Sequence, residues 1–240
     1  MAFNSYIFLI FFGVVLAVYY SLPHRFRWGL LLVAGYYFYW CWKPEYVIIL
    51  AGATLFDYLI ARGMGKTVDG KRRKRLLILS LFLNVGVLFL FKYLDFFSQS
   101  LNALFAKFNI MAGLPAFRWL LPVGISYYTF KKISYIIDVY RGNHEPERHL
   151  GKFALFVSFF PALTAGPIDR AGDLLPQFSR EVKLDPRRIV NGFKLFAWGL
   201  FKKVVIADRL AVMVDTVFDK PADFHGITLA VAALMFSIQI

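Results

Sequence analysis

FALFVSFFPALTAGPI, residues 153–168, is the stretch on which the fold turns. It is apolar enough to lie in a membrane, yet Phe153 to Phe160 rise only about 12 Å before Pro161, well short of a ~30 Å hydrocarbon core. The run breaks again at Gly166-Pro167. Proline has no backbone N–H and its ring crowds the preceding turn, so peptide groups here lose their helical partners. At membrane depth such groups must be satisfied by protein or by water, which makes the segment line a cavity rather than face lipid. Discontinuous helices of this kind surround polar paths in membrane proteins. A kinked structural helix is the competing reading.

Both flanks carry charge into apolar surroundings. Leu120 to Tyr140 contains Pro122, Gly124 and the adjacent cations Lys131 and Lys132. Two lysines in mid-bilayer cost several kcal/mol, so the stretch is expected to run through a polar cavity or to break near that level. Downstream, Phe193, Phe196, Ala197, Leu200, Phe201 and Val204 recur at helical spacing within Ile189 to Ile206, edged by Lys194, Lys202 and Lys203. That pattern predicts an amphipathic helix in the cytoplasmic interface, its lysines snorkelling to phosphates. Asp185-Pro186 before it reads as an N-cap followed by proline at the first helical position. Ile227 to Ile240 begins a last apolar helix but stops before it could cross, so the chain is expected to be a piece of something longer.

Toward the N-terminus, Phe3 to Tyr20 has no basic n-region and no small-residue cleavage site, and reads as a retained first helix. Trp28 to Trp42 and Tyr46 to Ala61 form a hairpin, with an aromatic belt at Tyr36 to Trp42. Leu76 to Phe91 re-enters the bilayer and ends where Lys92 and Asp95, at i,i+3, pair on one helix face. Ser98 to Arg118, broken by Gly113 and Pro115, reads as an amphipathic or partly buried segment plus an outer loop. Basic residues gather in two loops: Arg25 and Arg27 in one, and Arg62, Lys66, Lys71, Arg72, Arg73, Lys74 and Arg75 in the other. The positive-inside rule makes both cytoplasmic and leaves the N-terminus outside.

Composition agrees. The 240 residues hold 28 Lys+Arg against 15 Asp+Glu, a net charge of +13, yet the chain is 59% hydrophobic and only 18% charged. Ordinary soluble domains are about a quarter charged, and disordered chains are poor in aromatics, whereas this one has 27 Phe, 13 Tyr and 5 Trp. Confinement of the cations to short loops between apolar runs argues against nucleic acid and for an anionic bilayer face. One cysteine, Cys41, allows no intramolecular disulfide and no multi-cysteine metal site. The histidines, His24, His144, His149 and His225, sit in polar loops without metal-ligand spacing. No G-x-S-x-G elbow, P-loop or G-x-G-x-x-G is present. Asp57, Asp138 and Asp208 are the acids nearest apolar runs, and Asp138 is spaced to pair with Arg141 at a helix end. These residues make no self-sufficient catalytic set.

Longer strings carry a resemblance. LPVGISYYTF (residues 121–130) and ISYIIDVYRG (133–142), then FFPALTAGPI (159–168) and KKVVIAD (202–208), resemble the membrane-bound O-acyltransferase (MBOAT) family, and within it the alginate O-acetyltransferase-like branch. The similarity runs in order from Asn4 to Ile240. Ile168-Asp169-Arg170 is also similar to the D-alanyl transfer protein of teichoic acid modification in the same family. The resemblance implies a multi-helix enzyme with a central funnel. An acyl group arrives there from the cytoplasmic side and passes to a hydroxyl destined for an extracytoplasmic polymer, often through a periplasmic partner protein. The family's active-site histidine lies in a tryptophan-histidine motif downstream of the segment that Phe236 to Ile240 would introduce. None of the four histidines here matches it, so no catalytic residue is carried over.

The reading is therefore an all-α polytopic membrane protein with discontinuous or re-entrant helices and an interfacial amphipathic helix. Residues 1–240 form the N-terminal part of one MBOAT domain, ending before the catalytic histidine region, in a multi-pass protein of the bacterial inner membrane. The expected function is part of a membrane O-acyltransferase that moves an acyl group, acetyl first, to hydroxyls of an extracytoplasmic polysaccharide. The chain alone is expected to be inactive. Alternatives are D-alanyl transfer, a transporter-like protein and a non-catalytic scaffold. Candidates for the substrate path are Pro122, Gly124, Ser126, Tyr127, Pro161, Gly166 and Pro167, with helix packing as the competing role of each. No metal and no bound cofactor are expected; an acyl donor such as acetyl-CoA is a substrate. The expected partners are the lipid bilayer and a periplasmic acyl-transfer protein or polysaccharide acceptor, with no nucleic acid. Cysteines placed between Arg62 and Arg75 should escape a membrane-impermeant maleimide in intact cells, and labelling there would overturn this topology.

Overall fold

The computed structural model describes residues 1, 3–107, 122–164 and 166–240, and every regular element among them is helical. The chain divides into two units, one built on Gly13–Val182 and the other on Lys183–Ile240 with the chain start up to Phe12. Helix α1 (Tyr6–Ser21) carries no charged residue along its length.

In the first unit, α2 (His24–Trp40) and α3 (Pro44–Gly65) form the expected hairpin, and α3 is longer than its apolar run suggests. Pro44 sits in its first turn, where a missing N–H is no loss, and Arg62 lies in its last turn beside the negative end of the helix dipole. Helix α4 (Gly70–Lys107) is one element of 38 residues, about 57 Å long. This corrects the division into Leu76–Phe91 and Ser98–Arg118. The residues between, KYLDFFSQ, end the apolar pattern but include neither Gly nor Pro, so polarity changes while the helix continues. Lys71 to Arg75 accordingly lie in the first turns of α4 rather than in a loop. The Asp95 side chain, Gly113 and Pro115 lie outside the described residues, and with them the expected Lys92–Asp95 pair and those two breaks.

Helix α5 (Ile125–Arg141) starts after Pro122 and Gly124. Its C-terminal carbonyls are capped from α4, with Arg73 Nη2 donating to Val139 O at 2.9 Å and Tyr140 O at 2.8 Å. The expected Asp138–Arg141 pair does not form, and Asp138 instead accepts the Asn143 amide at 3.5 Å. Helix α6 (Leu150–Ser158) buries every residue from Phe153 to Ser158, packed by α2, α3, α5 and α8 (Ala171–Ser179). The chain breaks at Phe159, with φ −59° and ψ 103°, and resumes in the single turn α7 (Phe160–Leu163). In an unbroken helix the Pro161 ring would meet the Val157 carbonyl. Helix α6 therefore ends just past Val157, and Pro161 falls in the first turn of α7, where it costs nothing.

In the second unit, Asp185 caps α9 (Pro186–Phe201) as its position predicts, Oδ1 accepting from Arg187 N at 2.9 Å and Arg188 N at 3.4 Å. The stretch Ile189–Ile206 is not one uniform helix: α9 passes at Lys202–Ala207 into a π-helical turn, across which Lys203 pairs with Asp208. Helices α10 (Asp208–Asp219) and α11 (Ile227–Gln239) follow and pack together, burying Val214, Val217 and Ala232.

Among the described residues, α3 and the Gly70–Tyr93 part of α4 are long and apolar enough to cross a membrane; α1 and α11 are shorter apolar helices. Phe156 is fully buried, packed on Tyr135 and Phe153, whereas Phe130 is 48% exposed. Phe156→Ala should cost about 3–5 kcal/mol and lower the thermal unfolding midpoint in detergent far more than Phe130→Ala does. Equal losses from the two would overturn this placement of the core.

Candidate functional site

Three helices bring polar groups to one level inside the first unit. Asp57 lies on α3 about 12 Å from its end at Gly65, Lys132 on α5 about 13 Å from Arg141, and Ser80 on α4 about 15 Å from Gly70. All three helix ends belong to the basic side of the unit, so the groups meet at one level about 12–15 Å in from those ends. Lys132 Nζ is 3.0 Å from Asp57 Oδ2, and the two side chains are 1% and 0% exposed.

A buried pair of charges pays for its desolvation only when its remaining lone pairs are satisfied. Here they are. The Ser80 hydroxyl donates to Asp57 Oδ1 at 2.6 Å, and the Asn84 amide donates to both carboxylate oxygens at 2.9 Å. The same amide reaches Ser80 O at 3.0 Å. Ser80 and Asn84 lie one turn apart on α4, so a single helix face carries both donors. Lys132 also lies 5.8 Å from the Tyr128 ring centroid, a cation–π contact.

This cluster floors a cavity of about 320 Å³ between α3, α4 and α5. Its walls are apolar, including Ile48, Ile49, Phe56, Leu83 and Val87, while Asp57, Asn84, Tyr128, Thr129 and Lys132 supply its polar surface. Asp57 and Lys132 are almost wholly enclosed and engaged with each other, so the space is an essentially apolar one that the pair borders. The buried hydroxyls of Tyr128 and Tyr39, whose rings meet edge to face at 6.3 Å, lack a hydrogen-bond partner of normal geometry among the described residues.

The neighbouring Lys131 points to the broken segment. Its ammonium is 2.9 Å from Asp169 Oδ2 and 4.6 Å from the Phe156 ring centroid, tying α5 both to α6 and to the chain beyond α7. The two lysines thus take a carboxylate each, and the polar surroundings expected for them are supplied mainly by protein.

The seven path candidates are placed otherwise. None lines the cavity above the Asp57–Lys132 pair. Pro122 is buried, Ser126 and Gly166 are half-buried, and Tyr127, Pro161 and Pro167 are exposed. Gly124 is the one whose identity the structure explains: its φ is +75°, and a Cβ there would lie 2.2 Å from Leu163 O. The turn before α5 and the turn α7, two of the strings that carry the resemblance, are therefore in backbone contact. Gly166 is different, since a Cβ there meets only Ala162, at 3.5 Å. The three histidines of the first unit do not line the cavity. His24 contacts Ser179 O, His144 contacts Glu145 O, and His149 caps α6.

Sequence reasoning noticed Asp57 but missed what it does. Its signal was an acid inside an otherwise apolar helix, matched by Ser80 and Asn84 one turn apart in the next apolar run.

The chain is 43% identical over 221 residues to a Pseudomonas putida protein named probable alginate O-acetylase AlgI, a match covering 91% of this chain and 45% of that protein. A protein of the same name from Azotobacter vinelandii is 42% identical over 221 residues, covering 91% and 44%. The peptidoglycan O-acetyltransferase of Helicobacter pylori is 33% identical over 236 residues, covering 88% and 44%. The chain thus spans less than half the length of these curated relatives. No family model matches it. No solved structure matches it.

Removing one member of a buried pair leaves the other charged and unpartnered, at a cost of about 3–5 kcal/mol, whereas replacing both by apolar groups costs much less. Lys132→Met and Asp57→Leu should each lower stability by that amount, and the double variant by clearly less than their sum. Strict additivity in thermal or denaturant unfolding would mean that the two do not form a pair.

Proposed function

We propose that this chain is the N-terminal part of a polytopic MBOAT enzyme of the bacterial inner membrane that transfers an acetyl group to hydroxyls of an extracytoplasmic polysaccharide. The observation that carries the proposal is the 43% identity over 91% of the chain to a protein named alginate O-acetylase. The broken α6–α7 segment and the buried Asp57–Lys132 pair beside the cavity between α3, α4 and α5 support it, since both bring polar groups into apolar surroundings. The relatives carry different acceptors in their names, alginate in one and peptidoglycan in another, so the acceptor is proposed as a class, the hydroxyl of an exported glycan.

The reaction this implies is acyl transfer from a thioester such as acetyl-CoA. The acceptor oxygen attacks the carbonyl carbon, a C–O bond forms as the C–S bond breaks, the hydroxyl proton goes to a histidine base and the thiolate leaves. No histidine of this chain is assigned that role. What residues 1–240 contribute is the frame: the Gly124 turn locked on Leu163, Lys131 holding Asp169, and a path proposed to run past Pro122, Ser126, Tyr127, Pro161, Gly166 and Pro167. Hand-over of the acyl group to a periplasmic protein before it reaches the polymer belongs to the same proposal. D-alanyl transfer remains the second reading, favoured by the Ile168-Asp169-Arg170 string.

The test is deletion of the chromosomal gene, followed by mild alkaline release from the exported glycan. Loss of released acetate, restored by the full-length gene, is the expected result; loss of D-alanine would support the second reading, and unchanged release of both would overturn the proposal. Because Gly166 has room for a Cβ, Gly166→Leu should leave membrane levels of the full-length protein near wild type while cutting released acetate severely.

A further inference from the structure

A second concavity lies on the basic side of the first unit, on a different face of α3 from the cavity beside Asp57 and Lys132. Its volume is about 450 Å³, and Arg62, Gly65, Lys66, Glu145, Pro146 and Arg148 line it. Three cations face one carboxylate there. None of the three forms an ion pair among the described residues, where the ion pairs are Lys131–Asp169, Lys132–Asp57 and Lys203–Asp208. One cation near Gly65 would suffice to complement the C-terminal end of the α3 dipole; three exceed that need.

The pocket wall is built, not loose. Tyr58 Oη on α3 donates to Arg148 O at 2.7 Å, and the Glu147 amide donates to Tyr135 Oη at 2.9 Å. Glu147 Oε1 accepts the His149 amide at 2.9 Å, and Pro146 lies so close to Gly65 that a Cβ there would be 2.5 Å from its ring. The 145–149 backbone is thereby fixed against two helices while the Arg62, Lys66 and Arg148 side chains stay available. Two guanidinium forks and an ammonium suit the tetrahedral oxygens of a phosphate better than a single planar carboxylate, which Glu145 already provides.

We propose that Arg62, Lys66 and Arg148 form a binding site for a phosphate-bearing ligand, supplied by the nucleotide part of a soluble acyl donor or by an anionic lipid headgroup. Only the first source rests on the acyltransferase reading; the phosphate chemistry does not. The site lies one helix turn beyond Tyr58 on the last turns of α3, at the end where the positive-inside pattern meets the membrane surface.

The experiment uses full-length protein in nanodiscs. In neutral phosphatidylcholine discs, coenzyme A and its phosphate-free fragment pantetheine are titrated. In a parallel arm, phosphatidylglycerol retained after purification is counted by native mass spectrometry. Losing two charge-assisted contacts in R62Q/R148Q should weaken binding at least about tenfold, and the substitutions spare the backbone carbonyl of Arg148 that Tyr58 holds. Weaker coenzyme A binding with negligible pantetheine binding identifies the soluble source; reduced phosphatidylglycerol retention alone identifies the lipid source. Unchanged affinity and unchanged retention overturn the site. Lys66→Gln, at an exposed position, gives the same readout should the double variant fail to fold. Glycan acetylation is not the readout, so failure of this site and failure of the proposed activity are separately visible.

Discussion

A carboxylate and an ammonium buried together between apolar helices constrain everything around them. The Asp57–Lys132 pair is completed by α4, which brings Ser80 and Asn84 to the same level as further donors to the carboxylate. That requirement sets the register of three helices. Slide α4 by one turn, and Asn84 replaces Ser80 opposite Asp57 while the second donor is lost. Shift α5 by one residue, and Lys131 faces the carboxylate while Lys132 turns away from it. Hydrophobic contacts between smooth apolar helices give little such discrimination, since one buried leucine packs much like another. The polar cluster is thus where the arrangement of α3, α4 and α5 is specified, and the cavity between those helices borders it.

The adjacent lysine extends the constraint to the broken segment. Consecutive positions on a helix point about 100° apart, so Lys131 and Lys132 address different neighbours from one place on α5. Lys131 crosses the Phe156 face to reach Asp169, while the turn that starts α5 lies against α7 through Gly124. Helix α6 is completely enclosed from Phe153 to Ser158, while Pro161 just past the break at Phe159 is exposed.

At the basic end the same helices finish in a different chemistry. Arg73 satisfies the last carbonyls of α5, which spends one cation on structure. Arg62, Lys66 and Arg148 are not spent in this way, and the loop that presents Arg148 is held by backbone and tyrosine contacts instead. The distinction between a cation consumed by folding and one left facing a pocket separates a topological signal from a binding site, and both occur within a few residues of the same loop.

The chain's own residues were enough to establish membrane character, the interruption within 153–168, the Asp185 cap and the hairpin of the second and third helices. Each follows from something local: apolar composition over a window, a proline ring against its preceding turn, a side-chain oxygen two residues from an N–H. The length of α4 was misread because hydropathy fell at Lys92 to Gln99 without any residue that breaks a helix, and hydropathy reports solvent preference rather than backbone geometry. The charged cluster could not be assembled from the sequence, although Asp57 stood out as an acid in an apolar helix. Ser80 and Asp57 are 23 positions apart and Lys131 and Asp169 are 38 apart, and nothing in the spacing says that they meet. Sequence showed that Lys131 and Lys132 needed partners in an apolar region. Only the tertiary structure decided which carboxylates those were, because the cost of a buried charge depends on every group packed around it and on none of its neighbours along the chain alone.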